Sequence, residues 1–150
     1  MKIEQIREIL APCGLNCQKC VAFKGGFIAE ASSYLKDLLG NFKGYAERYS
    51  RSFPEYENYP SFSALLDYLS TPACDGCRNG HCLYHGCGVA TCPRIDSKEI
   101  DYCYQCDEFP CEKPQFHPDL DRRWRERNSR MSEVGVEAYY HETKDEPRYV

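Results

Sequence analysis

The chain has 150 residues and a formal charge of −4, long enough for one domain with a sizeable interior and without the basic footprint of a general nucleic-acid binder. Twelve tyrosines, seven phenylalanines and one tryptophan exclude a disordered tail. No stretch approaches the roughly 20 apolar residues needed to cross a bilayer, and residues 1–10 (MKIEQIREIL) are charged throughout, so a soluble, cytoplasmic protein with no membrane contact is expected.

Ile3, Ile6 and Leu10 recur at helical intervals and predict a short first helix that Pro12 must end. Cys13, Cys17 and Cys20 follow as a tight triplet, and Gly25-Gly26 breaks the chain. Ile28, Ala31, Leu35, Leu38, Leu39, Phe42, Tyr45 and Tyr49 then recur at three- and four-residue steps, which predicts an amphipathic, core-facing helix. Gly40 and Gly44 weaken it by about 1 kcal/mol each against alanine, so a bend near Gly40 is expected. After the aromatic connection of residues 53–60, Phe62, Leu65, Leu66 and Leu69 mark another helix, closed by Thr71-Pro72. Residues 21–73 thus read as a helical block without a cysteine.

Residues 74–113 form a cysteine-rich segment, and residues 119–142 a C-terminal helix capped by Asp119. Leu120, Trp124, Met131, Val134 and Ala138 line one face of that helix, with Gly135 its weak point. Arg122, Arg123, Arg125, Arg127 and Arg130 alternate with acidic residues and read as a solvated, salt-bridged face. Residues 147–150 read as extended. The expected fold is a small, mostly α single domain over residues 1–150, several helices joined by irregular cysteine-rich, metal-stapled loops.

Eleven cysteines, an odd number, frustrate a complete disulfide framework, and a reducing cytosol would keep them as thiols unless they bind metal. Cys74-Asp75-Gly76-Cys77 and Cys103-Tyr104-Gln105-Cys106 are Cys-x-x-Cys turns, each able to point two thiolates at one ion. Between and after them, Cys87 and Cys92, and Cys106 and Cys111, are separated by four residues. If residues 89–97 are helical, Cys92 sits in the first turn and could reach back to a metal shared with Cys87, the partition of the ligands among sites staying open. The candidate metal ligands are therefore Cys13, Cys17, Cys20, Cys74, Cys77, Cys87, Cys92, Cys103, Cys106 and Cys111, with Cys82 left as a spare. His81 and His85 flank Cys82, and an imidazole can replace a thiolate.

Ten thiolates suit two Zn2+ ions with two ligands over, and an iron–sulfur cluster is the alternative for a thiolate-only site. The triplet alone supplies only three ligands. A distant fourth would close it into a staple, whereas an open position would polarise water or a substrate near Asn16 or Lys19. The same triplet spacing occurs in radical S-adenosylmethionine enzymes. However, those usually carry an aromatic residue where this chain has Lys19, and their barrel needs more residues than 150.

Several blocks together resemble a known family, the cysteine-rich domain of unknown function 3795. They are Ala11-Pro12-Cys13-Gly14-Leu15-Asn16-Cys17-Gln18-Lys19-Cys20, Cys74-Asp75-Gly76-Cys77-Arg78, Cys87 through Cys92, and residues 102–113. The helix carrying Gly135-Val136-Glu137 and the tail of residues 144–149 are similar to that family's ending. Cys82 and Gly25-Gly26 have no clear counterpart in it. The resemblance implies a bacterial or archaeal protein of helices and bound zinc, with no established reaction.

Two functions follow. One is a zinc-binding protein whose structural sites support a surface for a partner protein or small ligand; the absence of a nucleotide loop, a serine elbow or a His-Glu-x-x-His helix favours it, and no catalytic residue is assigned. The other is an iron–sulfur or open-site metalloprotein with redox or catalytic activity at Cys13, Cys17 and Cys20.

Overall fold

A computed structural model describes residues 1–79, 82 and 86–149, so His81 and His85 lie outside the described residues. Among the described residues there are seven α-helices: α1 (Ile3–Ile9), α2 (Phe27–Leu39), α3 (Lys43–Tyr49), α4 (Tyr59–Ser70), α5 (Pro93–Asp96), α6 (Pro118–Val134) and α7 (Val136–Thr143). None is long and apolar enough to cross a membrane. The fold is mostly α, as the periodicity predicts, and irregular cysteine-bearing turns connect the helices.

The hydrophobic interior gathers where α1, α6 and α7 meet. Ile6, Leu10, Tyr102, Met131, Tyr139 and Tyr140 form one buried cluster, and Ala11, Cys13, Cys17, Cys87, Val89 and Trp124 form a second beside it. Cysteines thus occupy half of that second core. Trp124 is sealed at 1% exposure, with Phe109 and Phe116 meeting its ring edge-on at 5.0 and 5.9 Å. One turn on, fully buried Asn128 donates to Trp124 O at 3.0 Å and accepts from Tyr104 N at 3.0 Å, fastening the Cys103–Gln105 turn to α6.

Arg78 fastens three segments at once. Its guanidinium donates to Arg7 O and Leu10 O at 2.7 Å and to Asp101 O at 2.6 Å, and it lies 5.0 Å from the Tyr102 ring centroid. The carbonyls at the end of α1 are among those that no helical amide can reach. A planar five-donor fork satisfies two of them while binding the Asp101 loop, which the ammonium of a lysine cannot reproduce.

Helices α2, α3 and α4 pack on one another rather than on this core. Phe42 sits in a cluster of rings, 5.3 Å from Tyr59, 5.8 Å from Tyr56 and 6.3 Å from both Tyr45 and Tyr49. The predicted core-facing stripe is corrected here. Small residues, Ala29, Ser32 and Ala46, fill the buried positions with Leu66, whereas Leu35, Leu38, Tyr45 and Tyr49 are exposed. A helical period shows that a face is apolar, not that a second layer covers it.

Three boundaries also differ from expectation. Gly40, at φ 46°, ends α2 and separates it from α3, a full break where a bend is expected. The C-terminal helix of residues 119–142 is two helices, because Gly135 takes φ 82°, ψ 157°, a conformation open essentially to glycine alone. Ala138, expected on the buried face, is consequently exposed, and Tyr139 and Tyr140 are buried instead. His117 rather than Asp119 occupies the cap of α6, since Pro118 presets the first helical φ and places Asp119 inside the first turn.

Candidate metal centre

Local backbone chemistry explains why the cysteines turn inward. Cys17–Lys19 and Cys103–Gln105 are single 3-10 turns, closed by Cys20 N to Cys17 O at 2.9 Å and Cys106 N to Cys103 O at 3.1 Å. Each Cys-x-x-Cys pair is therefore held by its own hydrogen bond. Side chains brace both turns: Asn16 Oδ1 accepts from Gln18 N at 2.9 Å, and Gln105 Oε1 accepts from Asp101 N and Tyr102 N at 2.8 and 2.9 Å. Asn16 is thus a cap. Lys19 reaches the carbonyls of Thr143 (3.2 Å) and Glu146, tying the triplet to the chain beyond α7.

Short ladders bring the segments together. Cys74 N donates to Ala22 O and Lys24 N to Cys74 O, both at 2.9 Å, so the chain after Cys20 runs beside the Cys74–Cys77 turn. Cys103 N donates to Pro12 O at 3.0 Å, bringing the third motif to the first. Tyr139 Oη donates to Gly14 O at 2.9 Å. Gly14 itself has φ 83°, and a Cβ there would lie 2.8 Å from Arg127 Cβ, so the triplet loop and α6 meet backbone to side chain.

Seven of the eleven cysteines share the wall of one cavity. Cys13, Cys17, Cys20, Cys74, Cys77, Cys82 and Cys87 line this space of about 410 Å³, together with Phe23, Phe116, Trp124, Arg127 and Arg148. Cys92, Cys103, Cys106 and Cys111 are not part of its lining: Cys106 acts on Arg94, Cys92 and Cys111 act on Lys113, and Cys103 is acted on by Cys13 of the cavity set ahead of Cys92 and Cys111. Cys87 and Cys92 therefore fall into different groups. The expected helix over residues 89–97 is only α5, so Cys92 is its cap residue rather than part of its first turn; Pro93 sets that start.

Cys82, set apart as a spare by its spacing, lies within the first group. Its sulfur shares side-chain hydrogen bonds with Cys77 and Cys87, and these bonds, ahead of burial, push both of those thiols up. Burial first, then the neighbouring Cys13, raises Cys17 to about 12, and burial raises Cys13 as well. Burial likewise raises Cys103 to about 12, against a lowering contribution from the Trp124 indole. Packed thiols of this kind keep their protons until a cation supplies the compensating charge.

Sulfur-directed donors are already in place. Gly76 N lies 3.4 Å from Cys74 Sγ, Arg94 Nη1 3.3 Å from Cys106 Sγ and Tyr149 Oη 3.8 Å from Cys20 Sγ. Trp124 Nε1, buried beside Cys103, has no partner at full hydrogen-bond geometry among the described residues, and a thiolate at Cys103 is the acceptor it lacks. This donor set fits anionic sulfur ligands of a metal. Among the described residues no group of three or more His, Cys, Asp or Glu side chains is placed so that it could hold a metal ion.

Arg127 departs from its expected place. Arg122, Arg125 and Arg130 pair with Glu126, Asp121, Glu133 and Glu142 on an exposed, salt-bridged face, as the alternating charges predict. Arg127 instead turns to the cavity, where burial lowers its pKa. Leu120, Trp124, Arg127 and Met131 follow one helical stripe, so the spacing itself carries that signal. The cavity wall also takes in Arg148 and Tyr149, from the tail of residues 144–149 that resembles the family's ending but whose spacing does not announce a place in the cavity.

A helical body with cysteine-bearing turns converging on a thiol-lined cavity defines a small cysteine-rich protein. The family described as protein of unknown function (DUF3795) matches residues 9–116, and the chain belongs to it. The match covers every cysteine and ends just before α6. No curated protein and no solved structure matches the chain.

Proposed function

We propose that this is a zinc-binding protein with two thiolate centres whose main role is to hold the fold. Cys92, Cys103, Cys106 and Cys111 would form a closed four-thiolate site, and a second ion would draw its ligands from the cavity group of Cys13, Cys17, Cys20, Cys74, Cys77, Cys82 and Cys87. The gathering of seven cysteines on one cavity wall, with the other four outside its lining, supports the reading. Bound zinc would replace the protons that burial and crowding hold on these thiols, and its binding free energy would be folding free energy. The exposed aromatic residues on α2, α3 and α4 would then serve a protein partner in the cytoplasm.

A second reading, an iron–sulfur cluster or open-site metal held by Cys13, Cys17 and Cys20, is favoured by one observation. The triplet faces the large cavity rather than being sealed by chain on all sides. Elemental analysis and a visible spectrum of protein purified without oxygen or chelator separate the two. Two zinc ions per chain and a colourless solution are expected. Iron with sulfide-to-iron charge-transfer absorption would install the second reading, and metal-free protein with unchanged melting behaviour would remove both.

A further inference from the structure

The cavity has walls that a metal does not need. Leu15, Phe23, Phe116, Leu120 and Trp124 give it an apolar lining, and its volume of about 410 Å³ is far more than one ion fills. Volumes of roughly 300–1,000 Å³ with apolar walls and a few polar groups are typical of small-molecule sites. The cationic groups here are two half-buried guanidiniums, Arg127 from α6 and Arg148 from the chain beyond α7. Among the described residues neither pairs with a carboxylate. Arg148 Nη1 donates to Asn16 O at 3.1 Å, which orients the group and leaves further N–H donors of its fork.

Two neighbouring guanidiniums disfavour each other's charge, and Arg148 does act to lower Arg127. The thiols of Cys13, Cys17 and Cys20 offset this in part, acting on one arginine or the other. A zinc held by four thiolates would still carry a formal charge of roughly −2, so the arginine pair would keep its charge while facing a chamber whose other walls are apolar. A single planar anion with two oxygens matches the guanidinium fork. A doubly charged phosphate would set more negative charge against the sulfurs, and a polar ligand would waste the aromatic wall.

We propose that the cavity binds a small amphipathic carboxylate, its head taken by Arg127 and Arg148 and its apolar body lying along Leu15, Phe23, Phe116, Leu120 and Trp124. The site shares the cavity with the first cysteine group but does not depend on which metal that group holds. It also assigns a use to the tail of the chain, which completes the wall through Arg148 and Tyr149.

Trp124 is the only tryptophan, so its emission reports the cavity directly. Titration of the protein as purified with octanoate, octan-1-ol and acetate, with calorimetry in parallel and metal content measured on the same sample, tests the assignment. Octanoate should bind saturably and perturb Trp124, with octan-1-ol and acetate each at least tenfold weaker. Arg127→Met and Arg148→Met should each weaken octanoate at least tenfold while keeping the metal content. Should Arg127→Met fail to fold, Arg148→Met decides, since it lies outside every helix. Equal binding of octan-1-ol, unchanged octanoate binding in a folded variant, or no binding at all overturns the proposal. Loss of metal without any change in octanoate affinity would show instead that the arginines serve only as counter-charges to the sulfurs. Zinc content failing while octanoate still binds would strike the metal reading alone.

Discussion

Gly88 makes the tightest backbone approach of the described glycines. A Cβ built there would stand 2.0 Å from Lys113 O, 2.6 Å from Lys113 C and 3.0 Å from Pro114 Cα, all main-chain or ring-fixed atoms that cannot rotate away. The two segments are those that carry Cys87 and Cys111, so this contact sets how the cavity group lies against the second group. Gly88→Ala must push them apart, and overpacking of this kind costs about 1–3 kcal/mol or more. Thermal melting should fall by several degrees and, on the proposed zinc reading, the metal should dissociate more readily although no ligand has been altered. A variant that melts and holds metal as the parent does would show that the crossing is loose. The need for glycine here is invisible in the sequence, because the partner backbone lies about 25 residues away and no spacing rule connects them.

Helix breaks present the opposite case, in which the local sequence signal is strong. Gly40 and Gly135 stand out in amphipathic runs, and both end helices in the structure. What the run of residues cannot reveal is the kind of break. Gly135 lies in a region reserved for glycine, with open space around its missing Cβ, so Gly135→Ala meets no clash and suffers only backbone strain of about 1–3 kcal/mol. Gly44 is inside α3 with ordinary φ and equally open surroundings, so Gly44→Ala should stabilise by about 0.5–1 kcal/mol. Opposite shifts in melting temperature are therefore expected from one substitution type, each 1 kcal/mol moving the midpoint by roughly 3 °C at this chain length. Shifts of the same sign would mean that helix propensity alone governs both sites.

The same division between local and distant information explains the cysteines and the arginines. Cys-x-x-Cys turns are legible because the spacing and the closing hydrogen bond belong to one another. Cys82 and Arg148 are not, since only the fold brings them to the cavity. Arg127 stands between these cases. Its place on the Trp124 stripe is readable from the period, yet its basic neighbours on the exposed face outweigh that signal when charge is read as a run. Burial of α2 to α4 is likewise unreadable: periodicity identifies an apolar face, and only the layer above it decides whether the face is core or surface.

Those differences give the molecule two unequal halves. Residues 27–70 bury few large side chains and rest on a ring cluster around Phe42, while Ile6, Leu10, Trp124, Met131, Tyr139 and Tyr140 are sealed between α1, α6 and α7. The sealed half is enclosed by the cysteine turns: Cys103 N to Pro12 O, Gly14 O to Tyr139 and Lys19 to Thr143 O are links that would loosen if the thiols were released. Local opening should follow these contacts, with weakly buried segments exchanging first. In protein as purified, amide exchange followed by mass spectrometry should be faster in peptides from residues 27–70 than in those from α1 and α6, and the proposed zinc reading adds a second expectation. Chelation under reducing, anaerobic conditions should bring the α1 and α6 peptides to the faster rate, because the uncompensated, crowded thiols no longer hold the turns against the helices. If α6 kept its protection after all metal had been removed, apolar packing around Trp124 would be sufficient for the fold, and the cysteine centres would have to be assigned a role other than structural support.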